Sequence, residues 1–387
     1  MIIRSGFKYR IYPNRAQQRQ LAIQFGHCRF VYNRYRAKRE ATYRETGRGM
    51  SYHECALDLA RLKKDPDYAW LKEADSQALQ QSLRDLDTAY QNFFKGGSQY
   101  PRFKSKYGKQ SYRYPQRFKL AGNRIYCPKV GWVKIVLHRP LQGKMKSCTV
   151  SKTKSGRYFV SILCEYESEP DSACGAVGID LGLRHFLSLS TGEKIDNPRH
   201  LGKHERLLRI RQRRLSRKQQ GSSNRNKARQ RVAVQHERVA NQRRDFHHQV
   251  SRALVNTYGT IALETLHVKG MMANHRLAKA IADAGWSQFV TFVAYKQQWA
   301  GGAFVQADRW FPSSKTCSVC GGIDHSLQLS QRRWLCAGCG TEHDRDINAA
   351  QNLLNISTVG ATESDACGET SLSVDTRPRK PNSFSVG

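Results

Sequence analysis

Two Cys-x-x-Cys pairs, Cys317/Cys320 and Cys336/Cys339, stand fifteen residues apart, and a glycine follows each pair. Each pair can present two thiolates to one ion, and the two together complete a tetrahedral shell. That requirement shapes the segment 313–341 into a zinc ribbon whatever surrounds it. A shell closed by four thiolates leaves no open position, so the expected zinc is structural, and His325 and His343 are expected to stay outside it. The other cysteines (Cys28, Cys55, Cys127, Cys148, Cys164, Cys174 and Cys367) are scattered singly. Their odd total, and an N-terminus without an apolar signal core, point to a reducing cytosol with no disulfide framework.

Three acidic residues lie far apart, each in a distinctive setting. Asp180 closes the apolar strand pattern of Val177-Gly178-Ile179-Asp180-Leu181-Gly182, whose glycines are expected to let backbone approach a ligand. Glu264 ends the apolar run from Ile261, and Asp346 starts an amphipathic helix carrying Ala349, Ala350, Leu353 and Leu354. Singly, each is as well explained by a hairpin turn or a helix cap. In the order strand-Asp, strand-Glu, helix-Asp they form the pattern of a ribonuclease-H-like nuclease. In that pattern three carboxylates gather two magnesium ions about 4 Å apart for phosphodiester hydrolysis. Asp344 is a competing third ligand; Asp346 is preferred because it lies one helical turn before Ala350, on the buried side. Asp344 and Asn348 are expected to orient it. Charge supports the same chemistry: 65 Lys+Arg against 31 Asp+Glu give a net charge of +34, which a polyanion must cover. No apolar run approaches the roughly 18 residues of a membrane span.

The pattern along the chain predicts an α+β, multidomain protein. Phe7, Tyr9 and Ile11 alternate with polar residues as a strand, and helices are expected over 15–45, 52–64 and 75–95. Short strands follow to residue 167, including a hairpin turning at Thr153-Lys154-Ser155-Gly156. The first segment can join these strands, making residues 1–14 and 98–168 a β-barrel around a helical insertion, 15–97. Beyond a linker near Glu169, strands over 175–183 and 185–189 lead to a basic helical stretch broken at Gly221-Ser222-Ser223-Asn224. A strand at 260–263 and a helix at 287–300 come next. The nuclease domain is therefore expected over 172–312 and 342–356, with the ribbon inserted and a disordered tail over 357–387. In the basic stretch an apolar seam leaves Arg225, Arg229, Arg243 and Arg244 free for nucleic acid. The His247-His248 pair is expected to face solvent and Trp286 and Trp299 to be core, while Tyr112, Tyr114 and Phe118, interleaved with Arg113, Arg117 and Lys119, suit a single strand or an RNA surface, a texture that a barrel strand shares.

Several segments match a known family: Tyr9-Arg10-Ile11-Tyr12-Pro13-Asn14, Cys28-Arg29-Phe30-Val31-Tyr32-Asn33, Tyr100-Pro101-Arg102-Phe103-Lys104, Phe311-Pro312-Ser313-Ser314-Lys315-Thr316-Cys317 and His343-Asp344-Arg345-Asp346, besides Gly178 to Gly182. Over almost its whole length the chain resembles TnpB, the transposon-encoded RNA-guided DNA endonuclease related to type V CRISPR effectors. The resemblance implies a wedge β-barrel with a helical recognition insertion, then a RuvC-like nuclease domain with an inserted zinc ribbon. It implies a guide RNA from the transposon end, double-stranded target DNA beside a short adjacent motif, and a single site cutting both strands. It makes Asp180, Glu264 and Asp346 the catalytic acids. It places motif reading near Tyr52 and Gln80, with Ser76 standing where a relative can carry lysine. A guide-directed repressor and a transposition accessory protein are the alternatives, and the prokaryotic cytosol, at the nucleoid, is the expected location.

Overall fold

The computed structural model describes residues 1–328 and 330–358, so the tail expected over 357–387 falls, from residue 359 on, outside the described residues. The chain divides into two compact units, Met1–Ser168 and one beginning at Glu169.

The first unit is a curled antiparallel sheet with helices inserted after its first strand. Strand β1 (Ile2–Tyr12) buries every second residue, as the alternation at Phe7, Tyr9 and Ile11 requires. Helices α1 (Arg15–Thr46), α2 (Tyr52–Leu62) and α3 (Ser76–Phe94) follow, with a 3-10 turn over Pro66–Glu73. Capping boxes at Asn14 and Ser51 start the first two, and Asp75 caps the third. The chain returns through β2 (Gln110–Tyr114), β3 (Lys119–Ala121), β4 (Arg124–Cys127), β5 (Gly131–Val136), β6 (Lys144–Lys152) and β7 (Tyr158–Glu167). The order is β2-β6-β7-β1-β5-β4-β3. The end strands β2 and β3 do not pair, so the expected barrel is an open, curled sheet. Of the two readings of Tyr112 and Tyr114, the structure has the sheet strand and not the nucleic-acid surface: both are buried on β2, and Tyr114 Oη donates to the Pro128 carbonyl.

The second unit is built on a mixed five-stranded sheet. Strands β8 (Ala176–Leu181), β9 (His185–Leu189) and β10 (Lys194–Asp196) form a meander. Helices α4 (His200–Ser216) and α5 (Ser223–Thr257) then lead to β11 (Thr260–Leu263). Helices α6 (Val268–Met271), α7 (His275–Ala284) and α8 (Trp286–Ala300) lead to β12 (Ala303–Gln306). The hairpin β13 (Arg333–Leu335) and β14 (Glu342–Asp344) precedes the last helix, α9 (Arg345–Thr358). The order is β10-β9-β8-β11-β12, with β8, β11 and β12 parallel.

Strand alternation sorts this sheet's two faces. Val177, Ile179, Leu181, Ile261 and Leu263 pack with Phe246, Val250 and Leu254 of α5 and Phe289 and Val293 of α8. Ala262 packs on the opposite side with Leu353 of α9. Gly178 lies under α9 as well: a Cβ there would collide with the Ala350 carbonyl, and one at Gly182 would crowd the His185 carbonyl. These glycines serve close packing of the protein on itself, where a ligand approach was expected. His247, expected in solvent, is 1% exposed and lies among Phe186, Phe246 and Phe289. Its Nε2 meets the Ala284 carbonyl, and burial holds its pKa down at about 4. Of the tryptophans, Trp286 and Trp334 are buried and Trp310 is exposed, while Trp299 packs edge-on against Tyr295.

Candidate active site

Asp180 and Glu264 come together through the parallel register of β8 and β11. Ile179 stands opposite Leu263, so each acid is the next residue at the carboxyl end of its strand. That end is where open α/β sheets place ligands. Alternation turns both acids toward the face that carries α9, and Glu264 Oε1 accepts the Leu181 N–H at 3.4 Å. Asp346, the second residue of α9, lies near enough for its charge to act on Asp180. Burial first, then the charges of Glu264 and Asp346, push the Asp180 carboxyl well above the ordinary carboxylate range, against the opposing pull of Arg345 and Arg332. Burial likewise lifts Glu264 to about 7. Both carboxyls therefore hold their protons more tightly than an ordinary carboxylic acid does. Among the described residues, only the four ribbon cysteines have ligand atoms all within 4.8 Å of one another. The ligand atoms of Asp180, Glu264 and Asp346 do not all lie within 4.8 Å of one another.

Asp344 takes another role. Its Oδ1 accepts the backbone N–H groups of Asp346 and Ile347 at 3.1 and 3.2 Å, which caps α9, and its Oδ2 pairs with Lys194 at 2.7 Å. Burial raises its pKa, but these partners outweigh it and hold the carboxyl below the ordinary range. Asn348, expected to orient Asp346, instead ties α9 to the ribbon: its side chain accepts from the Ser318 N–H and donates to the Thr316 carbonyl. Two cations adjoin the acids that the sequence reading overlooked. Arg332 Nη1 lies 3.1 Å from Asp346 Oδ1. Arg345 is buried, with its guanidinium on the Gln328 carbonyl and Ser314 Oγ. The spacing of Arg332 from Asp346 carried no signal because the β13–β14 hairpin folds it back.

The ribbon's sulfurs fit zinc. Cys317 and Cys339 Sγ are 3.7 Å apart and Cys320 and Cys336 Sγ 3.5 Å. A tetrahedron with Zn–S bonds near 2.3 Å has edges of about 3.8 Å. Both knuckles are built alike: the N–H of Gly321 donates to the Cys317 carbonyl and that of Gly340 to the Cys336 carbonyl, with both glycines at positive φ. His343 departs from expectation, since its Nε2 lies 3.0 Å from Cys317 Sγ. It adjoins the cluster without joining the four-sulfur group.

The arginines singled out for nucleic acid divide. Arg225 turns its guanidinium back onto the Leu215 and Lys218 carbonyls, and Arg243 binds the Ala282 and Asp283 carbonyls, so both brace the helices. Arg229 and Arg244 are both exposed on α5. Between α4 and α5 opens a cleft of about 760 Å³ lined by Arg211, Arg214, Arg217, Lys218, Lys227 and Arg231, with no carboxylate in its wall. In the first unit, Gln80 is exposed on α3, and Tyr52 at the start of α2 accepts a hydrogen bond from Arg84 Nε at 3.2 Å.

Three family descriptions match segments of the chain: "Probable transposase" over residues 161–275, "Cas12f1-like, TNB domain" over 286–353 and "Helix-turn-helix domain" over 1–48. The last segment here is a strand and one 32-residue helix, with no helix-turn-helix. A Streptomyces pristinaespiralis protein named "Putative RNA-guided DNA endonuclease" is 40% identical over 373 residues, covering 95% of this chain and 92% of its own. The Escherichia coli K12 protein "Putative RNA-guided DNA endonuclease InsQ" is 33% identical over 367 residues, covering 90% and 91%. The protein in a cryo-EM structure of a Cas12f1–sgRNA–target DNA complex has the same fold at 12% identity, with a TM-score of 0.59 over 92% of this chain and 99% of that one. Among the described residues no helix is long and apolar enough to cross a membrane.

Proposed function

We propose, for a chain that belongs to the TnpB family, that it is an RNA-guided DNA endonuclease whose second unit is a RuvC-like nuclease with an inserted zinc ribbon. In this reading a guide RNA from the transposon end pairs with one strand of duplex DNA beside a short motif, and one site cuts both strands. The observation that supports it is the parallel register that puts Asp180 and Glu264 at neighbouring strand ends, with Asp346 at the start of α9 near enough for its charge to bear on Asp180.

Asp180, Glu264 and Asp346 would hold two magnesium ions. Bound there, the ions supply a water activated for attack on phosphorus and stabilisation of the departing 3′ oxygen. The protein's own groups do the rest. The sheet ends and the start of α9 fix the three carboxylates before cations bind, so little reorganisation is left for the reaction. Arg332, beside Asp346 at 3.1 Å, would offer its planar guanidinium to a phosphate oxygen. The zinc ribbon holds the hairpin that carries Arg332. The α4–α5 cleft and Arg229 and Arg244 would follow a phosphate backbone, and Gln80 and Tyr52 would contribute to motif reading, since a glutamine amide can read adenine through two hydrogen bonds.

The test is Asp180→Ala in the complex with its copurifying RNA. Cleavage should be lost while RNA and target binding persist. Retained cutting would remove Asp180 from the site, and wild-type protein that binds its target without cutting would favour a repressor.

A further inference from the structure

Lys194 lies on the short edge strand β10, opposite Ser188 of β9, and Ser188 stands opposite Asp180 of β8. Residues directly opposite in antiparallel strands turn their side chains to one face. Asp180, Ser188 and Lys194 therefore form one row across the sheet, on the side that carries α9. At the far end of the row the Lys194 ammonium meets Asp344 Oδ2 at 2.7 Å, while Asp344 Oδ1 caps Asp346 and Ile347. Both oxygens of Asp344 are thus occupied. One residue, Arg345, separates Asp344 from Asp346 in sequence, and Asp346 is the one whose charge bears on Asp180.

We propose that Lys194 is a positioning residue that holds Asp344 out of the metal cluster, so that Asp346 alone completes it. This rests on the reading of the acids as a two-magnesium site. Without the ammonium, Asp344 keeps a full negative charge beside that site with one oxygen unpaired. A carboxylate in that state is attracted to the same cations, and in taking one it must give up its cap on α9. The cluster would still bind divalent ions, even somewhat more tightly for the lost positive charge. The bound arrangement would be wrong for the reaction, and small displacements of a reacting geometry are costly in rate.

This predicts a divergence between binding and rate that a folding defect would not produce. In the full-length, zinc-loaded protein, Lys194→Met should bind Mn²⁺, followed by electron paramagnetic resonance, as tightly as wild type or more so. In the guide RNA complex its cleavage rate should fall by about tenfold or more. Lys194→Arg should restore the rate. Adding Asp344→Asn to Lys194→Met should also recover most of it, because asparagine still caps a helix but no longer competes for cations. An undiminished rate in Lys194→Met, parallel loss of Mn²⁺ binding and rate, or no recovery in the double variant would overturn the proposal. Wild-type protein that bound no Mn²⁺ would instead overturn the two-metal reading beneath it.

Discussion

Glu264→Gln should make the metal-free protein more stable at alkaline pH while removing its cleavage activity. Burial lifts the Glu264 pKa from its ordinary 4.5 to about 7. A carboxyl raised on folding favours the folded state least when ionised. Below pH 4.5 it is protonated in both states and costs nothing. As pH climbs through 4.5 the unfolded chain ionises first, and stability falls until the folded carboxyl ionises near 7. The full cost is about 3 kcal/mol, from a 2.5-unit shift at 1.36 kcal/mol per unit. At pH 5.5 the same relation leaves a cost of about 1 kcal/mol. Glutamine cannot ionise, yet its amide oxygen can still accept the Leu181 N–H. Its gain in stability over wild type should therefore be larger at pH 8.5 than at pH 5.5 by about 2 kcal/mol. Urea denaturation of both proteins at the two pH values measures this, in buffer stripped of divalent ions but free of chelator, so that zinc stays bound. Added magnesium should stabilise wild type and leave the variant nearly unmoved. A variant less stable than wild type at pH 8.5, or a difference independent of pH, would refute the argument that burying the ionised Glu264 carboxylate costs stability that a cation can restore.

Two further outcomes follow from the geometry. Cys336→Ser should lower bound zinc, measured by elemental analysis, and lower the melting temperature; undiminished zinc would refute the four-cysteine site. In the α4–α5 cleft, Arg214→Glu should weaken nucleic-acid binding and reduce the salt slope by about one unit per lost phosphate contact, whereas Arg243→Ala, which removes a brace, should lower the melting temperature with the slope unchanged. Equal slopes for Arg214→Glu and wild type would move the binding surface elsewhere.

Much of this architecture can be read from residue order because its signals are local. The alternation of Phe7, Tyr9 and Ile11 belongs to one strand's pleat, the stripe through Leu79, Leu83 and Leu86 to one helix's turn, and the two Cys-x-x-Cys pairs to one ion's coordination shell. Short elements whose stability comes from neighbours were not legible: β10 and β12 are edge strands of three and four residues, held by pairing and by helix packing. Orientation was lost for the same reason. His247 reads as polar and Tyr112 as a surface aromatic until a partner carbonyl or hydroxyl shows how burial is tolerated.

The sequence by itself determined the kinds of chemistry available: four thiolates at ribbon spacing, three carboxylates in strand and helix settings, and a large excess of cations. Only the tertiary structure decided which of these groups meet. The register of β8 with β11 sets Asp180 beside Glu264, and the packing of α9 over Gly178 brings in Asp346. Lys194 ties up Asp344, and the ribbon hairpin returns Arg332 to the acids. Proximity between residues more than eighty positions apart is set by sheet register and helix packing, and neither is encoded in any short run of residues.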